Sequence, residues 1–380
     1  MKFTINRELF LRYLTIADTV LKNVKSPLAI LLNVYLEVQA DGTLIIMSYN
    51  GENGVKIELN VKVEEPGKIT LLSKKLLDVI RKIEEGEIVF ETIPDNETSV
   101  IIHPLEKEIP IFNLNGIIAD AYPVFFEFNW ETYIKISEAS MKELIDSTVF
   151  AVAEDFSKPA FTGVYIEEAV EGRLTFVTSD GKRLATNSRE YVEKKGIVPL
   201  NIIIPENIIR TLSNSFTVSS EGEVMFSVEK NQAFFRLNNV YLFSNLIEGK
   251  FPNYRDVIPK DRINVGSVDG HIFLNAIEVV SVLADVETYR IKIEIKDSIM
   301  EISARHSIHG LAREEIPLLS YSGTPIFLYC NYKHLTDFLK IFNNKVVNFS
   351  INSQVSPILF TIDGEPDFVY VDMPLRLPEE

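Results

Sequence analysis

The chain has 380 residues, 46% of them hydrophobic, and carries 54 acidic against 38 basic side chains for a formal net charge of −16 at neutral pH. That length and apolar content suffice for two or three domains with cores of their own and exclude a disordered chain, while the acidic surplus argues against extended nucleic-acid contact over the whole surface. No apolar run reaches the roughly 18 residues of a membrane span, the start MKFTINRELF has no basic region leading into an apolar stretch, and the lone cysteine, Cys330, excludes an internal disulfide. These features predict a cytoplasmic protein with no membrane association.

Taken in chain order, FTINRELFLRYLTIADTVL from Phe3 reads as a short alternating strand, a polar break at Asn6 and an amphipathic helix. The pattern returns in IKISEASMKELIDSTVFAV from Ile134, where Ser137 is the break and Met141, Leu144, Ile145, Thr148 and Val149 follow at helical spacing. It returns again in INVGSVDGHIFLNAIEVVSVL from Ile263, with Asp269 at the break. A spacing of roughly 130 residues is far longer than a solenoid repeat and suits a whole domain.

A second unit of strand, polar cap and short helix sits inside each copy. It reads GKITLLSKKLLDVIRKIEEGEIVFET from Gly67, LNIIIPENIIRTLSNSF from Leu200 and TPIFLYCNYKHLTDFLKIFNNKVVNFSI from Thr324, and a β-branched strand visibly follows in the first and third. Between the helices run alternating stretches such as NVYLEVQADGTLIIMSYN, VEGRLTFVTSDGKRLA and SIMEISARH, with turns at Asp41-Gly42, Asp180-Gly181 and Asp363-Gly364. The expected class is α+β: three similar domains at residues 1–130, 131–261 and 262–380, each with two short helices and antiparallel sheets.

The motifs that would carry chemistry are missing. The sequence has no Gly-rich phosphate loop, GxSxG elbow, HExxH or DxDxDG segment. His306 and His309 are the only close histidine pair, and the adjacent Gly310 places them in a loop rather than on one helix face. Cys330 sits in an apolar strand context that suits a small buried side chain. No catalytic residue, metal site or cofactor is expected, which shifts weight to a binding role. Charge is unevenly spread: the helix from Ser73 to Ile83 carries Lys74, Lys75, Arg81 and Lys82 against Asp78, whereas the segments 62–66, 84–87, 91–97 and 167–171 are acidic.

Three segments are more specific: TSDGKRLA at Thr178 to Ala185, LIEGKFPNYRDVIPK at Leu246 to Lys260, and VDMPLRL at Val371 to Leu377. With the opening MKFTI and with SPLAILLNVYLEV, they resemble the bacterial DNA polymerase III beta subunit family, the replicative sliding clamps, from Met1 to about Leu377. The resemblance implies three domains forming half a ring and a head-to-tail homodimer that closes around duplex DNA, with helices lining the hole and sheets outside. Repetition then supplies curvature, and two identical heterologous contacts close the circle. Basic helices would face DNA and the acidic exterior would repel it, and a topological tether needs only weak phosphate contacts without base readout.

The same resemblance implies a peptide groove that receives the DNA polymerase III alpha subunit, the clamp loader and other partners with QLxLF-like motifs. Its residues match Phe161, Ser179, Gly181, Lys182, Arg183 and Leu184, then Pro252, Asp256 and Val257, and finally Asn331, His334, Val355, Met373, Pro374, Leu375 and Arg376. Asp256 stands where a basic residue is common, His334 where an aromatic hydroxyl is common and Lys182 where histidine is frequent, so the fine peptide preference departs from the family pattern. Lys25 matches a basic loop residue near the pore. Further DNA-facing candidates are Arg7, Arg12, Lys74, Lys75, Arg81, Lys82, Lys142, Arg210, Lys333 and Lys340. Ring closure in the family pairs edge strands of the first and third domains, which points to Ile109 and Ile111 against Val282 and Leu283. The competing reading is a scaffold of repeated α+β domains that binds peptides without encircling DNA.

Overall fold

In the computed structural model, residues 1–22, 28–93, 96–107, 109–123, 128, 130–155, 157–217 and 219–376 are described. Among them six α-helices form: α1 (Arg7–Leu21), α2 (Ser73–Lys82), α3 (Glu138–Thr148), α4 (Glu206–Ser215), α5 (Gly270–Ser281) and α6 (Tyr332–Phe342). The polar breaks at Asn6, Ser137 and Asp269 are the N-caps of α1, α3 and α5, whereas the polar cap expected before α2 does not form: its N-cap position is Leu72, and Ser73 Oγ donates to Asp18 Oδ1 at 2.7 Å. Asn6 Oδ1 accepts the Leu9 N–H at 3.0 Å, Ser137 Oγ accepts the Ser140 N–H at 3.0 Å, and Asp269 Oδ1 accepts the N–H groups of His271 and Ile272 at 2.9 and 3.0 Å. Each helix then buries one stripe, as in Phe10, Leu14, Ala17 and Leu21 of α1 or Leu335, Phe338, Leu339 and Phe342 of α6. The strand after α4 that the sequence left unmarked is Glu223–Glu229.

The chain divides into two compact units. The first comprises Met1–Met141, Tyr191–Pro199 and Asn207–Leu246, the second Lys142–Glu190, Leu200–Glu206 and Ile247–Glu380. The two units are not the three copies of the repeat, since the middle third of the chain contributes to both. The reason lies in the sheets. In the first unit a nine-stranded antiparallel sheet is continuous because Val240–Asn245 pairs with Asn53–Asn60, with Leu242 opposite Val55. In the second unit another nine-stranded sheet is continuous because Arg183–Glu190 pairs with Glu365–Asp372, with Arg183 opposite Asp372. Main-chain ladders thus join successive copies of the repeat as firmly as they join strands within one copy.

Each unit has a second, smaller sheet. A five-stranded sheet in the first unit ends at Phe112–Asn115, and a four-stranded sheet in the second ends at Gly310–Pro317. Aromatic clusters fill the cores. Phe3 stacks on Phe90 at 5.1 Å beneath α1, and Phe338 of α6 stacks on Tyr370 at 4.7 Å. Cys330 is fully buried, and that burial, with the nearby Asp372 carboxylate, pushes its thiol well above the ordinary range, as suits an inert core side chain.

Candidate functional site

The site is built within the second unit around the turn that joins strands Arg173–Ser179 and Arg183–Glu190. Asp180 makes the turn: its Oδ1 accepts the N–H groups of Lys182 and Arg183 at 2.8 and 2.9 Å. Gly181 occupies the left-handed region at φ +86, where a side chain would be strained. Ser179 Oγ ties the two strand ends together, accepting the Gly181 N–H at 3.0 Å and donating to the Arg183 carbonyl at 2.7 Å.

Beside this turn lies a cavity of about 340 Å³. Of the residues expected from the sequence it brings together Phe161, Ser179, Gly181, Lys182, Arg183, Leu184, Pro252, Val257 and Met373. It also brings in Lys158, Phe251, Asn253, Tyr254 and Val371, which sequence reasoning did not select. Phe251 and Tyr254 flank Pro252 in the FPNYRDV segment, and an aromatic pair around a proline was the available signal for a packed wall. The floor is apolar and continuous with a buried cluster of Leu184, Phe251, Tyr254 and Val371. Such a slot, apolar with a few polar groups at its rim and a conformationally adaptable methionine, is suited to the side chains of an extended peptide.

The remaining expected groove residues do not line this cavity. His334 is buried, and its Nδ1 lies 2.8 Å from Oδ1 of the fully buried Asp372, so the imidazole is committed to the interior instead of lining the cavity. Asn331 caps α6, accepting the Lys333 N–H at 3.0 Å. Asp256 accepts a hydrogen bond from Asn253 Nδ2 at 2.8 Å, and Val355 is exposed on the turn before strand Ile358–Ile362. Pro374 is buried, Leu375 is held through its N–H on the Tyr329 carbonyl at 2.7 Å, and Arg376 is exposed. Leu377, the last residue of the VDMPLRL segment, lies outside the described residues.

Arg183 lines the cavity yet directs its guanidinium inward, to Asp180 Oδ2 at 3.1 Å, Asp337 Oδ2 at 2.6 Å and the Phe150 carbonyl at 2.7 Å. Burial works against its charge, but Tyr370, Asp337 and Asp180 outweigh that and raise its pKa. Arg183 is therefore a brace beside the cavity. For Asp372, burial dominates over the His334 contact and lifts the carboxyl above its ordinary range. Burial also raises the Tyr254 hydroxyl, with the Glu167 carboxylate adding to it.

The basic candidates divide into two kinds. Lys74, Lys75, Arg81 and Lys82 are all exposed on α2, opposite buried Leu76, Leu77 and Ile80. Arg12, Lys142, Arg210, Lys333 and Lys340 are exposed as well; Lys142 pairs with Asp146 on its own helix, and Lys333 Nζ sits 3.5 Å from the Tyr289 ring centroid. Arg7 departs from expectation. Its guanidinium donates to the Ile80 carbonyl at 2.9 Å and the Arg81 carbonyl at 3.0 Å, so it closes the C-terminal end of α2 in place of reaching outward. Lys25 lies outside the described residues.

Among the closure candidates, Ile109, Ile111 and Val282 are 75%, 58% and 80% exposed. Ile109 and Ile111 immediately precede the edge strand Phe112–Asn115. Val282 and the half-buried Leu283 stand on the turn that ends α5, so they belong to no edge strand; Gly310–Pro317 is one edge strand in that part of the chain. His306 and His309 fall on a hairpin turn, with rings 4.4 Å apart and His306 Nδ1 accepting the Ile308 N–H at 3.2 Å. Among the described residues no group of three or more His, Cys, Asp or Glu side chains is placed to hold a metal ion. A second cavity of about 430 Å³ lies in the first unit beside Trp130, Phe234 and Tyr241. It contains none of the three segments singled out in the sequence, and its Lys56 and Glu58 pair with each other at 2.7 Å.

The repeated α+β architecture and the antiparallel sheets place the chain in the class of multidomain α+β proteins. Family comparison gives it a lineage: residues 1–126, 135–253 and 255–376 match the N-terminal, central and C-terminal domains of the DNA polymerase III beta subunit. The chain is 27% identical to the beta sliding clamp of Treponema pallidum and 27% identical to that of Rickettsia bellii, in each case over 99% of this chain and 100% of the relative. The Bacillus subtilis DNA polymerase sliding clamp has the same fold, with a TM-score of 0.87 at 24% identity over 100% of both chains. So does the Streptococcus pneumoniae DNA polymerase III beta chain, with a TM-score of 0.88 at 23% identity over 99% of this chain and 100% of that one. The chain belongs to the DNA polymerase III beta subunit family, has its three-domain clamp fold and is a DNA sliding clamp, a processivity factor without catalysis of its own. Membership carries with it association with DNA and polymerase partners, and dimerisation. No helix among the described residues is long and apolar enough to cross a membrane.

Proposed function

We propose that two copies of this chain, each of three domains at residues 1–130, 131–261 and 262–380, close head to tail into a ring around duplex DNA in the cytoplasm. The replicative polymerase alpha subunit, the clamp loader and repair factors are then held through QLxLF-like peptides seated in the cavity beside the Asp180 turn. The observation that carries this reading is the meeting of the TSDGKRL, FPNYRDV and VDM segments around one apolar slot of about 340 Å³. Two apolar peptide anchors buried there contribute roughly 1.5 to 3 kcal/mol each, and after ordering costs this is compatible with exchangeable binding near the micromolar range.

DNA contact falls to the exposed basic side chains of α2 with Arg12, Lys142, Arg210, Lys333 and Lys340, addressed to phosphate. Closure falls to the edge strands Phe112–Asn115 and Gly310–Pro317, flanked by Ile109, Ile111, Val282 and Leu283. Sedimentation of the full chain with a fluorescent QLxLF peptide tests the reading. A dimer that carries peptide, with peptide lost on Met373→Glu and the dimer kept, is the expected result. A monomer that still carries peptide favours the non-encircling scaffold.

A further inference from the structure

One wall of the cavity, residues 251–257, has almost no regular structure of its own: only Tyr254–Asp256 forms a short 3-10 turn. Apolar contacts fix its first part. Phe251 stacks on Tyr165 at 5.0 Å and meets Phe161, another lining residue, edge-on at 5.7 Å. Its second part is fixed differently. Tyr254, 7% exposed, lines the cavity and donates its hydroxyl to Glu167 Oε1 at 2.6 Å. The neighbouring Arg255 lays its guanidinium 4.5 Å over that ring and pairs with the same carboxylate.

Glu167 lies on strand Gly163–Val170, is 6% exposed and is not among the cavity's lining residues. A carboxylate so placed is costly unless charged or hydrogen-bonding partners meet it. Among the described residues its close partners both come from the wall, and the one other contact, from the Tyr165 hydroxyl, is long at 3.4 Å. The pairing of this strand with its neighbours is a main-chain ladder that makes no use of the carboxylate.

We propose that Glu167 is a positioning residue for partner binding, a latch that holds the Tyr254–Arg255 step of the wall against the sheet and so fixes the width of the peptide slot. The proposal rests on the reading of the cavity as the peptide groove. A wall held before the peptide arrives removes an ordering cost from binding and slows peptide escape. Loosening the latch leaves the Phe251 contacts and both sheets intact, so its effect is read at the groove and not in the fold.

The test uses the full-length protein, a fluorescein-labelled peptide containing Gln-Leu-Ser-Leu-Phe, and the variants Tyr254→Phe, Glu167→Gln and Met373→Glu. Tyr254→Phe keeps the lining ring and removes only the hydroxyl. Expected are an affinity weaker by about tenfold in Tyr254→Phe and Glu167→Gln, carried by faster dissociation. Faster amide exchange is expected at Asp256 and Val257, whose N–H groups bond to the Asn253 and Tyr254 carbonyls, with exchange in strand Arg183–Glu190 unchanged. Wild-type affinity and exchange in both variants, while Met373→Glu abolishes binding, overturns the latch and leaves the groove standing. Undiminished binding by Met373→Glu overturns the groove itself, and the latch with it.

Discussion

His334 and Asp372 form a buried pair beside Met373, Nδ1 to Oδ1 at 2.8 Å, while the second Asp372 oxygen has no hydrogen-bond partner among the described residues. Burial raises the Asp372 carboxyl pKa in the folded protein. The folded state therefore keeps this proton over a pH range in which the unfolded chain has already released it, and the group's contribution to stability falls as pH climbs from the ordinary carboxyl value through the raised one. Asp372→Asn cannot ionise, so its stability relative to wild type should improve steadily with pH across that window. Urea unfolding of both proteins at a series of pH values from about 4 to 7 checks this; parallel curves would show that Asp372 does not titrate in this way.

Met373 enters the groove from a backbone that is already anchored, since its N–H bonds to the Lys182 carbonyl at 2.9 Å. If the proposed peptide seats in this cavity, Met373→Ala should shorten a side chain it meets without moving the backbone, weakening a QLxLF peptide about tenfold. Fluorescence polarisation measures the change. Sedimentation should find the dimer unaffected, because Ile109, Ile111 and Val282 lie on other elements.

Arg7 and the α2 lysines should separate cleanly in their effects. Arg7→Ala removes two hydrogen bonds to the last carbonyls of α2 and is expected to cost about 1 to 3 kcal/mol of stability, seen as a lower urea midpoint.

The combined change Lys74→Ala, Lys75→Ala and Lys82→Ala leaves the buried stripe of α2 untouched and should hardly alter the urea midpoint. Binding to duplex DNA should weaken and its dependence on salt become shallower, by about 0.9 in logarithmic slope for each phosphate that the variant no longer neutralises. A salt titration of DNA affinity reads this directly.

The helices and the caps at Asn6, Ser137 and Asp269 were legible in the sequence because they are local, while the cap expected before α2 does not form. Asn6, Ser137 and Asp269 announce themselves by residue type just before an apolar period, and the caps form as read. The joining of successive copies through Leu242 opposite Val55 and Arg183 opposite Asp372 was not legible, because strand partners almost 190 residues apart leave no mark in either segment. The turn residues Asp180 and Gly181 were visible as a motif, and the cavity forms beside them. Side-chain direction was the hidden variable. Arg7 and Lys74 look equally basic in the sequence, yet one caps a helix and the other is exposed; His334 lies in the right segment but points to Asp372.

Encirclement is tested most directly by loading the full-length protein onto nicked circular DNA with a clamp loader and then cutting the circle. A ring held by topology should stay on the closed circle through a high-salt wash and run off once the DNA is linear, with Ile109→Asp, which places a charge at the proposed closure surface, failing to stay on either. Equal retention on circular and linear DNA would contradict encirclement and leave a protein that holds DNA by surface contact.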